Sequence, residues 1–83
     1  MKIKVLYFAW VRERIGLGQE IVETSAKTVQ DLVAELRARE ERYDVAFADT
    51  TALRVAVDQT LTGFDANITE ATEVAFFPPM TGG

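Results

Sequence analysis

The sequence predicts an α+β roll, a mixed five-stranded sheet with one long helix and shorter helical pieces gathered on one face. Three observations carry this. The two most apolar strand-like stretches, residues 2–8 and 73–77, lie at opposite ends of the chain, as two neighbours at a sheet centre would. Val29, Leu32, Val33 and Leu36 fall at i, i+3, i+4 and i+7, the stripe of an amphipathic helix. Eighty-three residues with 48 % hydrophobic content suffice for one modest core and not for two.

The elements run in order along the chain. Lys2 and Lys4 alternate with Ile3 and Val5 before Leu6, Tyr7 and Phe8 turn apolar on both faces, which predicts a strand over 2–8. Phe8, Val11 and Ile15 then take helical spacing, and Gly16 with Gly18 supplies a stop. Ile21 and Val22 among Glu20, Glu23 and Thr24 predict a short strand from Gln19 to Thr24.

Thr28-Val29-Gln30-Asp31 resembles a capping box and opens the long helix, whose polar face offers Glu35 to Arg39 and Arg37 to Glu41 as i,i+4 ion pairs. Residues 43–51, with Val45 and Phe47, predict a turn of helix tucked under the sheet. Leu53, Val55 and Val57 alternate with polar or small neighbours as a half-buried strand, and Asp58-Gln59 turns into a brief strand at Leu61 and Thr62. Residues 64–72 read as a loop pinning Ile68 inward. Glu73 to Phe77 returns to strand and must stop at Pro78, which has no N–H for a ladder. The domain therefore covers residues 1–77 and a tail covers 78–83.

Composition excludes several classes of function. There is neither cysteine nor histidine, which removes thiolate and Ser–His nucleophiles and nearly all zinc sites. Residues 1–16 hold four basic side chains against one acidic, whereas residues 17–83 hold five against twelve. That balance opposes non-specific nucleic-acid binding and favours a basic protein partner. No apolar leader opens the chain and no stretch approaches the roughly 20 residues of a membrane span, so a soluble cytoplasmic protein is expected.

Local motifs add little. Gly16-Leu17-Gly18 is half of a dinucleotide fingerprint with Ile21 at its third position, and reads as a loop. Asn67-Ile68-Thr69 matches a glycosylation sequon, which means nothing without secretion. Glu20 with Glu23, and Glu40 with Glu41, read as surface charge.

The working part is expected at the end of the chain. From Val74 onward no side chain is charged. Pro78-Pro79 is a stiff spacer, Met80-Thr81 comes next, and Gly82-Gly83 could enter a channel too narrow for any Cβ, with a total reach of at most roughly 20 Å. The carboxylate of Gly83 is an anion and a poor acyl electrophile until a nucleotide-dependent partner converts it to an acyl adenylate. Strand parity leaves Phe77 facing away from the long helix, where with Phe8 and Leu61 it would form an apolar docking patch.

The ending Ala75-Phe76-Phe77-Pro78-Pro79-Met80-Thr81-Gly82-Gly83 resembles that of the small, sulfur-carrying subunits of molybdopterin synthase. So do Ile3-Lys4-Val5-Leu6-Tyr7-Phe8-Ala9 with Val11-Arg12-Glu13, and Asp58-Gln59-Thr60-Leu61, so the likeness spans the chain. Met80 stands where a β-branched residue is common in that family, and Asp58 where Asn often precedes Gln-Thr-Leu.

The resemblance implies a ubiquitin-like β-grasp fold and a non-catalytic subunit that binds no cofactor of its own. It implies that an E1-like adenylating enzyme uses ATP to activate Gly83 and that a sulfur-transfer enzyme supplies the sulfur of a C-terminal thiocarboxylate. The tail then enters the large synthase subunit, in a heterotetramer, and delivers sulfur to cyclic pyranopterin monophosphate. By position, Gly83 carries the sulfur, Gly82 is the slim approach, and Phe8, Leu61, Phe77, Pro78, Pro79, Met80 and Thr81 meet the partner. Alternative readings send the same thiocarboxylate to thiamine or transfer RNA, or join the activated terminus to lysines as a protein modifier.

Overall fold

A computed structural model describes residues 1–79. Its elements are β1 (Lys2–Tyr7), α1 (Ala9–Ile15), β2 (Gln19–Glu23), α2 (Val29–Arg39), α3 (Glu41–Ala46), a 3-10 turn (Thr50–Ala52), β3 (Arg54–Val57), β4 (Thr60–Thr62) and β5 (Glu73–Phe77). The strands form one mixed sheet in the order β2-β1-β5-β3-β4. The first and last strands pair in parallel at its centre, Val5 opposite Val74 and Tyr7 opposite Phe76, and the other pairings are antiparallel. This is the predicted roll, a β-grasp arrangement.

The reason is the two-residue period of a strand. Ile3, Val5, Tyr7, Val55, Val74 and Phe76 all point to one face and are buried in a single core with Val11 and Ile15 of α1, Leu32, Val33 and Leu36 of α2, and Tyr43 and Ala46 of α3. Phe76 is its hub: its ring lies 4.9 Å from Phe47 edge-on and 6.3 Å from Tyr7 in a stacked arrangement. Burying a side chain of this size contributes about 2–3 kcal/mol. Ile68, alone in its polar loop, is fully buried in the same core, as its isolation among polar neighbours predicts.

Local chemistry sets the boundaries. Thr28 caps α2, its hydroxyl accepting from the Asp31 N–H at 3.1 Å. Gly16 ends α1 in the left-handed region at φ 88°, where its N–H donates to the Arg12 carbonyl at 2.7 Å. Asp58 and Gln59 both have positive φ, 48° and 70°, and close the two-residue hairpin between β3 and β4. The Asp58 carboxylate also accepts from the Thr72 N–H and hydroxyl and from the Glu73 N–H, at 3.0, 2.9 and 3.0 Å, which fixes where β5 begins.

Three expectations need correction. β1 ends at Tyr7, and Phe8 is the extended residue before α1, not part of its buried stripe, which is Val11 and Ile15. In 43–51 the inward residues are Tyr43, Ala46 and Phe47, while Val45 is exposed. Neither expected i,i+4 ion pair forms. Arg37 pairs with Asp44 at 2.8 Å and Arg39 with Glu20 at 3.5 Å, while Glu35 accepts from the Thr24 hydroxyl. Tertiary partners are nearer, and an exposed helical pair is worth too little to compete.

Candidate functional site

The tail leaves the fold where the parallel centre of the sheet ends. Beyond Tyr7 and Phe76 the Phe8 N–H still donates to the Phe76 carbonyl at 3.1 Å. There the two chains part. β1 bends sharply into α1 through Ala9, which takes φ 53°, whereas β5 runs on through Phe77 into Pro78 and Pro79, both partly buried. A left-handed alanine costs about 1–2 kcal/mol, a local strain that lets α1 turn away beside the tail. Pro78 and Pro79 offer no N–H for further pairing, so the ladder cannot continue past Phe77.

The sheet face turned from the helices carries the predicted patch. Register places Leu6, Ala75, Ala56 and Leu61 in one row across four strands, and Phe77 opposite Arg54 in the next row toward the tail, with Phe8 just past the end of β1. Phe8, still extended and bonded through its N–H to the Phe76 carbonyl, lies beside the end of β5. Leu61 reaches them only through the two small alanines of the first row. Phe8 is 47 % exposed and Leu61 66 %, while Phe77 is partly buried. Met80, Thr81, Gly82 and Gly83 lie outside the described residues.

The helical face contains a polar cluster that reading along the chain misses. Glu20, expected on the surface, has a side chain only 14 % exposed because strand parity turns it inward opposite Val5. Its carboxylate accepts from the Tyr7 hydroxyl at 2.8 Å and the Tyr43 hydroxyl at 2.6 Å, and the Arg39 guanidinium neutralises it. Burial, then the hydrogen bond to Glu20, pushes the pKa values of both tyrosines up from the ordinary phenol range. Both phenols are committed to the one carboxylate, which makes it a structural clamp between β2 and α3. Among the described residues no group of His, Cys, Asp or Glu side chains could hold a metal ion.

The Gly16–Gly18 loop also has a structural role. Gly16 is the helix stop, and a Cβ on Gly18 would lie 3.3 Å from the Arg12 guanidinium, the group it makes room for. Sequence reading placed Ala75 with Phe77 on the face turned from the long helix but overlooked Leu6, Ala56 and Arg54 as parts of that face. Their signal was available in the alternation of each strand, but their row emerges only when register is known. Among the described residues no helix is long and apolar enough to cross a membrane.

The ThiS family matches residues 5–83. The molybdopterin synthase sulfur carrier subunit of Escherichia coli strain K12 is 46 % identical over 81 residues, covering 98 % of this chain and 99 % of that one. The solved structure of a putative molybdopterin converting factor, subunit 1, from Pyrococcus furiosus superposes with a TM-score of 0.75 at 26 % identity, over 96 % of this chain and 99 % of its own. A protein–protein complex of subunits 1 and 2 of molybdopterin-converting factor from Helicobacter pylori 26695 contains the same fold, with a TM-score of 0.66 at 18 % identity and full coverage of both chains. By the reach of the family match and the identity to the E. coli relative, the chain belongs to the ThiS family.

Proposed function

We infer that the chain is the sulfur-carrier subunit of molybdopterin synthase, a non-catalytic partner in building the molybdenum cofactor. The observation that carries this is the 46 % identity, along nearly the whole of both chains, to a relative of that name. The absence of Cys and His supports it, since the reactive group is then the main-chain terminus and the acid–base groups belong to the partner.

The chemistry starts from the carboxylate. ATP and the Gly83 carboxylate give an acyl adenylate and pyrophosphate on an E1-like adenylating enzyme. A persulfide sulfur on a sulfur-transfer enzyme attacks the acyl carbon and AMP leaves; a thiol then cleaves the S–S bond of the resulting acyl disulfide, ending as a disulfide and releasing the thiocarboxylate. That sulfur is delivered to cyclic pyranopterin monophosphate in the large subunit, water restores the carboxylate, and a second delivery completes the dithiolene. Gly82 is the slim approach, and Phe8, Leu61, Phe77, Pro78, Pro79, Met80 and Thr81 dock against the large subunit, two copies of each forming a heterotetramer in the cytoplasm. Support for the docking comes from the exposed Leu61 and Phe8, and from the H. pylori complex of the two converting-factor subunits.

Intact-mass spectrometry of the protein from its native host tests this. One oxygen-for-sulfur exchange at the terminus is expected, and deletion of Gly83 should abolish cofactor synthesis. Cofactor synthesis that survives the deletion would overturn the reading, and adducts joining this chain to other proteins would favour a modifier instead.

A further inference from the structure

We propose that Arg12 and Arg54 form a cationic rim around the tail exit that recognises carboxylates on the protein surface receiving the tail. The inference rests on the docking reading above and adds the sign of charge that the receiving surface must carry.

The arginines divide into two sets. Arg37, Arg39 and Arg42 are all in the helical layer and each pairs with a carboxylate, at 2.8, 3.5 and 3.1 Å. Arg12, Arg14 and Arg54 make no ion pair among the described residues. Arg14 lies over the Trp10 ring, 4.7 Å from its centroid, which leaves Arg12 and Arg54. Both are exposed.

Their positions are not scattered. Arg54 opens β3 directly opposite Phe77, the last strand residue before the tail. The carbonyls of Leu53 and Thr51 accept from its Nη1 at 2.9 and 3.5 Å, so the group is oriented without being neutralised. On the other flank the Arg12 guanidinium packs against Gly18, whose carbonyl accepts from the Tyr7 N–H at 2.9 Å at the same end of the sheet. The row from Gly18 through Tyr7 and Phe76 to Val55 crosses three strand spacings, about 14 Å, with the tail leaving between its ends.

An unpaired surface arginine is ordinarily just solvated. Here the protein carries a formal net charge of −4, yet two guanidiniums without an ion pair flank the segment that must enter a partner. Lys2, Lys4 and Lys27, toward the other end of the sheet, also make no ion pair among the described residues, so what sets Arg12 and Arg54 apart is their place beside the tail: carboxylates around the entrance that receives the tail would meet these two groups first. Such steering acts on the association rate and is screened by salt.

The test is stopped-flow association with the purified large subunit at several ionic strengths. The Arg12→Gln/Arg54→Gln double variant is compared with Lys27→Glu, which changes net charge by the same amount beyond the opposite end of β2. Wild type should associate more slowly as salt rises. At low salt the double variant should be slower by roughly tenfold or more, with most of its salt dependence gone. Lys27→Glu should lose less than about twofold, and circular dichroism should show all three folded alike. Wild-type association indifferent to salt, or an equal loss in Lys27→Glu, would overturn the rim while leaving the docking face intact. Failure of wild type to bind the large subunit at all would overturn the docking reading and the rim with it.

Discussion

The Tyr43 hydroxyl donates to the Glu20 carboxylate at 2.6 Å and thereby ties α3, six residues long, to the edge strand β2. The same carboxylate holds the Tyr7 hydroxyl from the central strand, so one side chain joins three elements. Glu20→Ala would leave two buried phenols and the Arg39 charge without their acceptor. A loss of about 2–4 kcal/mol is expected in urea unfolding. Tyr7→Phe, which removes a single bond, should cost only about 1 kcal/mol. A loss of under 1 kcal/mol in Glu20→Ala would show that the clamp is not structural.

These are the only two tyrosines in the chain, and both pKa values are raised. Folding therefore favours the neutral phenols: that contribution is complete below the unfolded value of about 10 and is lost as pH rises above it. Phenolate absorbance monitored on raising the pH should show no tyrosine ionising at its ordinary pKa, and both ionising together with loss of structure. A phenol that titrates near pH 10 while the circular dichroism stays native would contradict the geometry of the cluster.

Asp58 governs the acid side. Its pKa is lowered, first by the hydrogen bond from the Thr72 N–H, then by that from the Thr72 hydroxyl. Stability from this group is present above the unfolded value near 3.9 and disappears as pH falls through the lower folded value. Asp58→Asn tolerates the positive φ and keeps an acceptor oxygen, but it cannot titrate. Thermal melts should therefore decline less steeply below pH 4 in the variant than in wild type. Parallel acid limbs for the two proteins would assign the acid loss to other carboxylates.

Ala9 provides a backbone test at the tail exit. Its φ of 53° suits glycine and penalises a β-branched residue. Ala9→Gly is expected to hold or raise stability, by up to about 1 kcal/mol, whereas Ala9→Val should lose more than about 1 kcal/mol. If the two variants melted alike, the turn from β1 into α1 would not need this conformation.

The docking face is tested by Leu61→Asp. Because Leu61 is 66 % exposed, the substitution should change stability by no more than about 0.5 kcal/mol. A carboxylate in the middle of an apolar contact should weaken association with the large subunit by about 2 kcal/mol or more in calorimetry. Together with Phe77→Asp, binding should be undetectable. Unchanged binding by the pair would remove this face from the interface.

Much of the architecture is legible along the chain because it rests on near-neighbour spacing. Val29 to Leu36 identifies α2 by period, Thr28 and Gly16 mark helix ends by chemistry, and Pro78 stops β5 by lacking a donor. The exposed Leu61 and the outward parity of Phe77 are read in the same way. Glu20 was not legible. Its spacing matches a solvated strand residue, and only pairing opposite Val5 turns it toward two phenols that lie 13 and 23 residues away in sequence.

The order of strands and helices, the single core, and the side-chain-poor Pro-Pro to Gly-Gly tail can all be read from the chain, because local geometry and composition suffice for each. Long-range packing sets which carboxylates Arg37, Arg39 and Arg42 meet, how Leu6, Ala75, Ala56 and Leu61 line up, and why Arg12 and Arg54 flank the exit of the tail. The physical reason is register. A strand's own pattern says which face a side chain takes, but only the pairing of distant strands says which side chains stand next to it.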